Sequence, residues 1–516
     1  MKKLISIMAV IALVATVFAG CGGKKKTEVA KDDPNKQVTL TVAIPFGKQK
    51  DSDAVQTEIN KKLEKLLPNT KIELMLEASM AEKWPLWMST QKSIDIAHSG
   101  YVTVLENEIL NKTYEPLNDL VSEYAPNIQK LQKDYWYSYD QATLNGTLYA
   151  IPNIQYHVNS AATIKILKKA VPYIDMTSLK DEAWSSDKTS QKFWDILYSG
   201  IEKAQKKGVD CSSIASLTLI NVAKRGYAFV GGDDSNFCYD IAANDGKILD
   251  FYKTNEYKYL CDFMKKAADK GWVSKDILTG QWSDGLYGSK GSYIDMDKKT
   301  GLLPDNSAET SISLVLDNPN AKKVLTSKVG ENSSYWSIPF TAENPARAMK
   351  FLDLINSDEG AEIVNLLAYG IEGKHYKVLD KEKGNIKANE YNAQGSASVS
   401  YGIPNWMVCN MMQGMYNVAP YTNKYKEYAK TYYLDTLNKA EKSVLYGCTF
   451  DFDPIRSKMN QILKNNGEYA ESIYSGILGN VESTKKELEN KNNSAGYDTV
   501  LKELQKQSDE YIKSNK

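Results

Sequence analysis

Hydrophobic positions fall into four regimes along this 516-residue chain. From Leu4 to Phe18 they run without a charge behind Lys2 and Lys3. That run suits the core of an export signal and falls short of the roughly 20 residues a bilayer-crossing helix needs. From Gly22 to Lys36 apolar residues nearly vanish, and the segment reads as a solvated tether. Alternation then begins. VTLTVAIPF, Val38 to Phe46, predicts an opening strand; Val55, Ile59, Leu63 and Leu66 share one helical face closed by Pro68; Ile72, Leu74 and Leu76 alternate as a second strand. Strand, helix, strand implies a parallel pair. A helical patch over Met80 to Met88 leads to a third strand through Ile94 and Ile96. Residues His98 to Tyr101 then fall at a carboxyl end, where open α/β sheets gather ligands.

The middle of the chain keeps the mixed pattern. LYAIPN, Leu148 to Asn153, is a short apolar strand stopped by proline. From Asn159 to Asn332 helical spacings such as Phe193, Ile196 and Ile201 alternate with short strands, and NDGK, Asn244 to Lys247, predicts a tight hairpin turn. Ser337 to Gly360 predicts a strand and then a helix, with Asn344 as cap, Pro345 at the first helical position, and Ala348, Phe351, Leu352 and Ile355 on one face. The last regime is helical. Asp453 is placed to cap and Pro454 to open a helix carrying Ile455, Met459, Ile462 and Leu463, and Tyr497, Val500, Leu501 and Leu504 repeat the spacing.

Charge narrows the function. The 64 basic and 64 acidic side chains balance to zero, and no basic run exceeds Lys24 to Lys26, which argues against nucleic acid as a partner. Beyond Cys21 the cysteines at 211, 238, 261, 409 and 448 are odd in number and unpatterned, so they read as small buried residues. With only His98, His157 and His375, a catalytic zinc site has no support. GIEGKH, ending at His375, is too short for a phosphate loop and reads as a turn. GGDD, Gly231 to Asp234, has the letters of a nucleotide-cyclase signature without its cytosolic substrate. DMDKKTG from Asp295 puts Lys299 where a calcium loop needs a ligand. Asp95 reads as a structural strand-end residue. No cofactor and no metal is called for.

Two resemblances add to these readings. Ala19, Gly20 and Cys21 resemble the lipobox of bacterial lipoproteins, with Phe18 where leucine is usual; this implies cleavage before Cys21 and a diacylglycerol on its thiol. An ordinary secretory signal with an incidental Cys21 is the alternative. The strings KSIDIAHSG, NGTLYAIPN, SSYWSIPFTAENPARAMKFLDLINSDEG, LLAYGIEGKHY, IPNWMVCN and GCTFDFDP, in that order, resemble the family 1 extracellular solute-binding proteins, the maltose-binding-like receptors of ABC importers. Within that family they are similar to a Gram-positive lipoprotein subfamily whose carboxy-terminal region is a domain of unknown function.

The resemblance implies an α/β, two-lobe periplasmic-binding-protein-like fold with discontinuous lobes, a hinge and a helical carboxy-terminal region. The implied divisions are a signal peptide at 1–20, a tether at 21–37, the first lobe at 38–151 and 336–398, and the second at 152–335 and 399–516. It further implies an oligosaccharide ligand, ABC transporter permease subunits as partners, and a lipid-anchored place on the extracellular face of a Gram-positive cell membrane. Four clusters fall near the implied cleft: His98, Ser99 and Tyr101; Gln155 and Tyr156; Tyr335 and Trp336; Asn405 and Trp406. Sugars offer apolar faces and rings of hydroxyls, so aromatic plates and polar tips are the side chains such a site needs. For Trp336 and Trp406, ligand stacking and core packing stand as equal readings. A surface glycoside hydrolase, which needs two carboxylates at set spacing, and the same fold binding a peptide or other solute are the alternatives.

Overall fold

The computed structural model describes residues 31–515 apart from 156–157, 159, 211–213, 215, 233–234, 274–276, 278–285, 293–294, 304–309, 327–333, 391–397, 414–415 and 419–422. The signal segment, Cys21, Tyr156 and the two aspartates of GGDD therefore lie outside the described residues.

β1 (Val38–Ile44), α1 (Ser52–Leu66) and β2 (Thr70–Leu76) form the β-α-β unit that the alternation predicts. β1 and β2 pair in parallel from Val38 opposite Thr70 to Ile44 opposite Leu76, and α1 lays Val55, Ile59 and Leu63 into the core beside them. α2 (Met80–Ser89) leads to β3 (Ile96–Ser99), which runs parallel to β1. After a helical stretch the chain makes β4 (Ile151–Pro152) and crosses to a second core.

That core holds β5 (Ser160–Leu167), α3 (Gln191–Lys206), β6 (Tyr227–Phe229), β7 (Phe237–Asp240), β8 (Ile248–Asp250), α4 (Asn255–Asp269), β9 (Tyr287–Ser292) and β10 (Ser311–Val315). Two antiparallel sheets result, ordered β9-β5-β10 and β8-β7-β6. β7 and β8 do form a hairpin, with Tyr239 opposite Ile248, but its link is wider than a two-residue turn. Asp240 Oδ1 accepts from the N–H groups of Ala242 (3.0 Å) and Ala243 (3.1 Å), which starts the reversal before Asn244 is reached.

β11 (Tyr335–Ser337) returns to the first core and inserts antiparallel between β3 and β4, completing a five-stranded sheet ordered β2-β1-β3-β11-β4. α5 (Pro345–Ile355) begins with Pro345 as expected and Asn344 takes the N-cap position, but its side chain makes no capping bond; Asn344 Oδ1 accepts from Lys36 Nζ at 3.5 Å instead. The Asn344 N–H donates to Asp95 Oδ1 at 3.0 Å, while Asp95 Oδ2 accepts from the Thr41 N–H at 3.0 Å, so Asp95 splices β1 to the returning segment. α6 (Ala361–Tyr369), α7 (Asn405–Val408) and α8 (Asn423–Lys439) follow.

α9 (Arg456–Tyr474), α10 (Val481–Ser494) and α11 (Tyr497–Ser514) close the chain. Asp453 caps nothing here: Asp453 to Ile455 form a 3-10 turn, α9 starts at Arg456, and the Asp453 carboxylate accepts from Arg456 Nε at 3.1 Å. Ala470, Ile473 and Tyr474 of α9 enter the second core, while Met459 and Ile462 join Val500 and Leu504 of α11 on Phe237 and Ile248 of the neighbouring sheet. A buried amide chain pins this packing: Asn465 Nδ2 donates to Asn492 Oδ1 (3.0 Å), Asn492 to Asn466 (3.0 Å), Asn466 to Asn236 (3.1 Å) and Asn236 to Asp250 (2.9 Å). The architecture is thus two α/β lobes with the terminal helices built onto the second.

Candidate functional site

β3 ends at Ser99, and the next residue, Gly100, has φ 95°, a conformation that a side chain disfavours. The turn throws Tyr101 outward, 57% exposed, with its ring edge-on to Trp406 at 5.2 Å and 73°. Trp406 sits half-buried on α7. Beside it Asn405 Oδ1 accepts the Trp406 N–H at 2.8 Å, Asn405 Nδ2 lies 3.5 Å from the Tyr369 hydroxyl, and Gln155 Nε2 donates to the Trp406 carbonyl at 3.4 Å. Four of the expected residues, Tyr101, Gln155, Asn405 and Trp406, therefore meet at one place with two aromatic surfaces and two amides.

Four others lie beneath them. His98, Ser99, Tyr335 and Trp336 are each no more than 1% exposed, so in this conformation none offers a surface to a ligand. The cause is topological: β11 places Trp336 opposite His98 and Tyr335 opposite Ser99 in the middle of the sheet. The His98 and Trp336 rings meet edge-on at 5.8 Å, and the Ser99 and Ser337 hydroxyl oxygens are 2.7 Å apart. Burial holds the His98 imidazole down to about 3, so it is neutral wherever the protein functions near neutral pH.

Two residues not singled out from the sequence tie these layers together. Ser334 Oγ receives Asn153 Nδ2 at 3.0 Å and lies 3.0 Å from His98 Nε2, and Asn153 Nδ2 also reaches the carbonyl of Met407 at 2.9 Å. The Asn153 N–H donates to the Ser334 carbonyl at 3.0 Å. One buried node thus joins β3, both inter-lobe passages and α7. The available signal was position: each residue is a polar group at the end of a short apolar crossing.

The other motifs do structural work. His375 Nδ1 accepts from the Ile371 N–H at 2.8 Å, and Gly370 and Gly373 have positive φ, so GIEGKH is a turn. Asp297 Oδ1 accepts from the Lys299 N–H at 2.8 Å, folding DMDKKTG on itself. Cys238, Cys261, Cys409 and Cys448 are free thiols, the first three buried. Among the described residues no group of three His, Cys, Asp or Glu side chains is placed to hold a metal.

Comparison with known proteins places this geometry in a known fold. A carbohydrate ABC transporter substrate-binding protein of Streptococcus pneumoniae is 22% identical over 100% of this chain and 99% of its own length. A polygalacturonan/rhamnogalacturonan-binding protein of Bacillus subtilis is 25% identical over 75% of this chain and 77% of its own. The crystal structure of an N-glycan transport solute-binding protein of S. pneumoniae superposes with a TM-score of 0.71 at 19% identity, covering 93% of this chain and 100% of that one. Residues 444–513 match the model of a domain of unknown function, DUF3502. The chain has the two-lobe fold of the solute-binding proteins and resembles them in sequence along its whole length. Both relatives are named for binding, one of them as a component of an ABC transporter. The DUF3502 segment contains α9, α10 and α11, the helices that the amide chain locks to the second lobe.

Proposed function

We propose that the protein is a lipid-tethered extracellular receptor that captures an oligosaccharide by lobe closure and delivers it to the permease of an ABC importer, making and breaking no covalent bond. The observation that carries this reading is the Tyr101–Trp406 pair flanked by the amides of Gln155 and Asn405, at the carboxyl end of β3. A pyranose ring presents C–H faces to the aromatic surfaces, and its hydroxyls match amide groups that both donate and accept. His98, Ser99, Tyr335 and Trp336 act beneath as positioning residues. Relatives named for carbohydrate and N-glycan transport support the ligand class. The Cys21 anchor is supported by the lipobox-like end of the signal segment; two acyl chains hold a protein at a membrane where one gives only reversible binding. A permease that recognises only the closed form couples loading to delivery.

Purified protein titrated with glycan and peptide panels, followed by tryptophan emission, tests the ligand class. A saturable change with an oligosaccharide and none with peptides is expected. Saturation by peptides alone refutes the sugar reading, and release of reducing sugar from a bound glycan refutes the non-catalytic one. Cys21→Ser is expected to shed the protein into the medium; retention at the membrane refutes the anchor.

A further inference from the structure

We infer that the ligand is an uncharged oligosaccharide and that polyuronates are excluded. The inference rests on the sugar-receptor reading and deepens it. A carboxylate taken out of water into a closing cleft needs a charged partner, and the side chain with matching two-pronged geometry is arginine. This chain has three arginines, and each is committed elsewhere. Arg225 is buried in the second lobe, with its guanidinium on the carbonyls of Asp187 (2.8 Å), Leu316 (2.8 Å), Ala183 (2.8 Å), Lys188 (2.9 Å) and Ser186. Arg347 is buried at the amino ends of β1 and β2, the edge of the sheet away from Tyr101. There it holds the Asp32 carboxylate at 2.9 and 3.1 Å, Thr70 Oγ1 at 2.8 Å and the Asp33 carbonyl at 2.7 Å. Arg456 is bonded to Asp453 on the first turn of α9.

Lysine does not make up the deficit at this edge. Lys48, beyond the end of β1, pairs with Asp53 at 2.8 Å; Lys374 pairs with Asp51 at 2.8 Å; Lys83 pairs with Glu77, just past β2. Each of these three cations already faces an acid of the same lobe, so together they present little net field to an acidic chain. The polar groups tied to the Tyr101–Trp406 pair are the neutral amides of Gln155 and Asn405, with the Tyr369 hydroxyl beside Asn405. Such groups can exchange hydrogen bonds with a hydroxyl or an acetamido N–H but bring no positive charge to a carboxylate. A relative in this fold is named for polygalacturonan and rhamnogalacturonan, so the architecture itself does not forbid an acidic sugar; the side chains carry the distinction.

The test titrates the full chain by calorimetry with manno-oligosaccharides, N-acetylglucosamine oligomers and oligogalacturonates of matched length, at low and at high salt. A neutral series is expected to bind with an affinity insensitive to salt, and oligogalacturonates about tenfold or more weaker, the factor for leaving a charged group without its partner. Oligogalacturonate binding that equals or exceeds the neutral series and weakens with salt overturns the inference while leaving a sugar receptor in place. Peptide binding with no response to any of the three series overturns the receptor reading and this inference with it.

Discussion

Acid should loosen this protein at one identifiable histidine. His98 sits in the middle of the five-stranded sheet with Nε2 on Ser334, and burial lowers its pKa from 6.5 to about 3. In the unfolded chain the same imidazole takes up a proton near 6.5, so between about 6.5 and 3 the unfolded state binds more protons than the folded one. Folding stability therefore falls as pH drops through that window, by about 1.4 kcal/mol per pH unit, and levels off below the folded pKa. From pH 7 to pH 4.5 the loss from this residue is about 3 kcal/mol. His98→Asn keeps an amide for Ser334 and has no proton to gain. Urea melts of both proteins at the two pH values isolate the contribution, since carboxylates shared by the two chains cancel in the difference. The wild type should lose about 3 kcal/mol more than the variant. Ligand affinity of the folded protein should hold over the same interval, because His98 stays neutral there and keeps its contact with Ser334, which is shared with the Asn153 amide that also holds α7 behind Trp406. Parallel pH curves for the two proteins would refute the reasoning.

Two further outcomes follow from the geometry. Tyr101→Ala and Trp406→Ala should each weaken oligosaccharide binding about tenfold, the equivalent of one lost aromatic surface, with Tyr101→Ala leaving the melting temperature nearly unchanged because that ring is exposed; unchanged titrations would remove the pair from the site. Arg347→Met leaves the Asp32 carboxylate with Lys350 alone, at 2.7 Å, and should cost about 1.5–3 kcal/mol in denaturant melts, whereas adding Asp32→Asn should recover part of that loss; a double variant no better than the single one would show that the pair is not what holds the segment.

What could be read from the sequence was local. β1, α1, β2 and β3 each carry a period set by one buried face, so alternation alone located them. The helix start at Pro345 was legible, but the side-chain caps expected at Asn344 and Asp453 are absent for one reason: a cap depends on what else competes for its oxygen. Lys36, 308 positions away, takes Asn344 Oδ1, and Arg456 takes the Asp453 carboxylate. The site divides in the same way. Tyr101 and Trp406 stand where strand and loop ends put them, but no local pattern separates them from His98 and Trp336. Burial of the latter pair is decided by β11 arriving against β3, and the His98–Ser334 contact joins residues 236 apart. Asn153 was missed because its partners, Ser334 and Met407, are 181 and 254 positions distant.

The position of α8 indicates which half of the site moves. Its neighbours Tyr432 and Tyr433 serve different cores. Tyr433 is buried in the first, with its hydroxyl 3.1 Å from Ser138 Oγ and its ring 5.7 Å from Tyr135, and Leu437 follows it there. Tyr432 lies half-buried on the small cluster of Ala161, Met296 and Val315 from the second lobe, where Tyr425 also donates to Asp295 Oδ2 at 2.8 Å. A large apolar attachment resists sliding more than this small cluster, so the displacement proposed between the lobes would be taken up on the Tyr432 and Tyr425 side. α7 belongs to the well-attached side, since Met407 and Val408 are in the first core and Asn153 grips the Met407 carbonyl. Tyr101 and Trp406 then form a platform that stays fixed to the first lobe. The proposed closure would then bring the second lobe to a ligand resting on that platform, placing affinity in the first lobe and the signal of occupancy in the movement of the second.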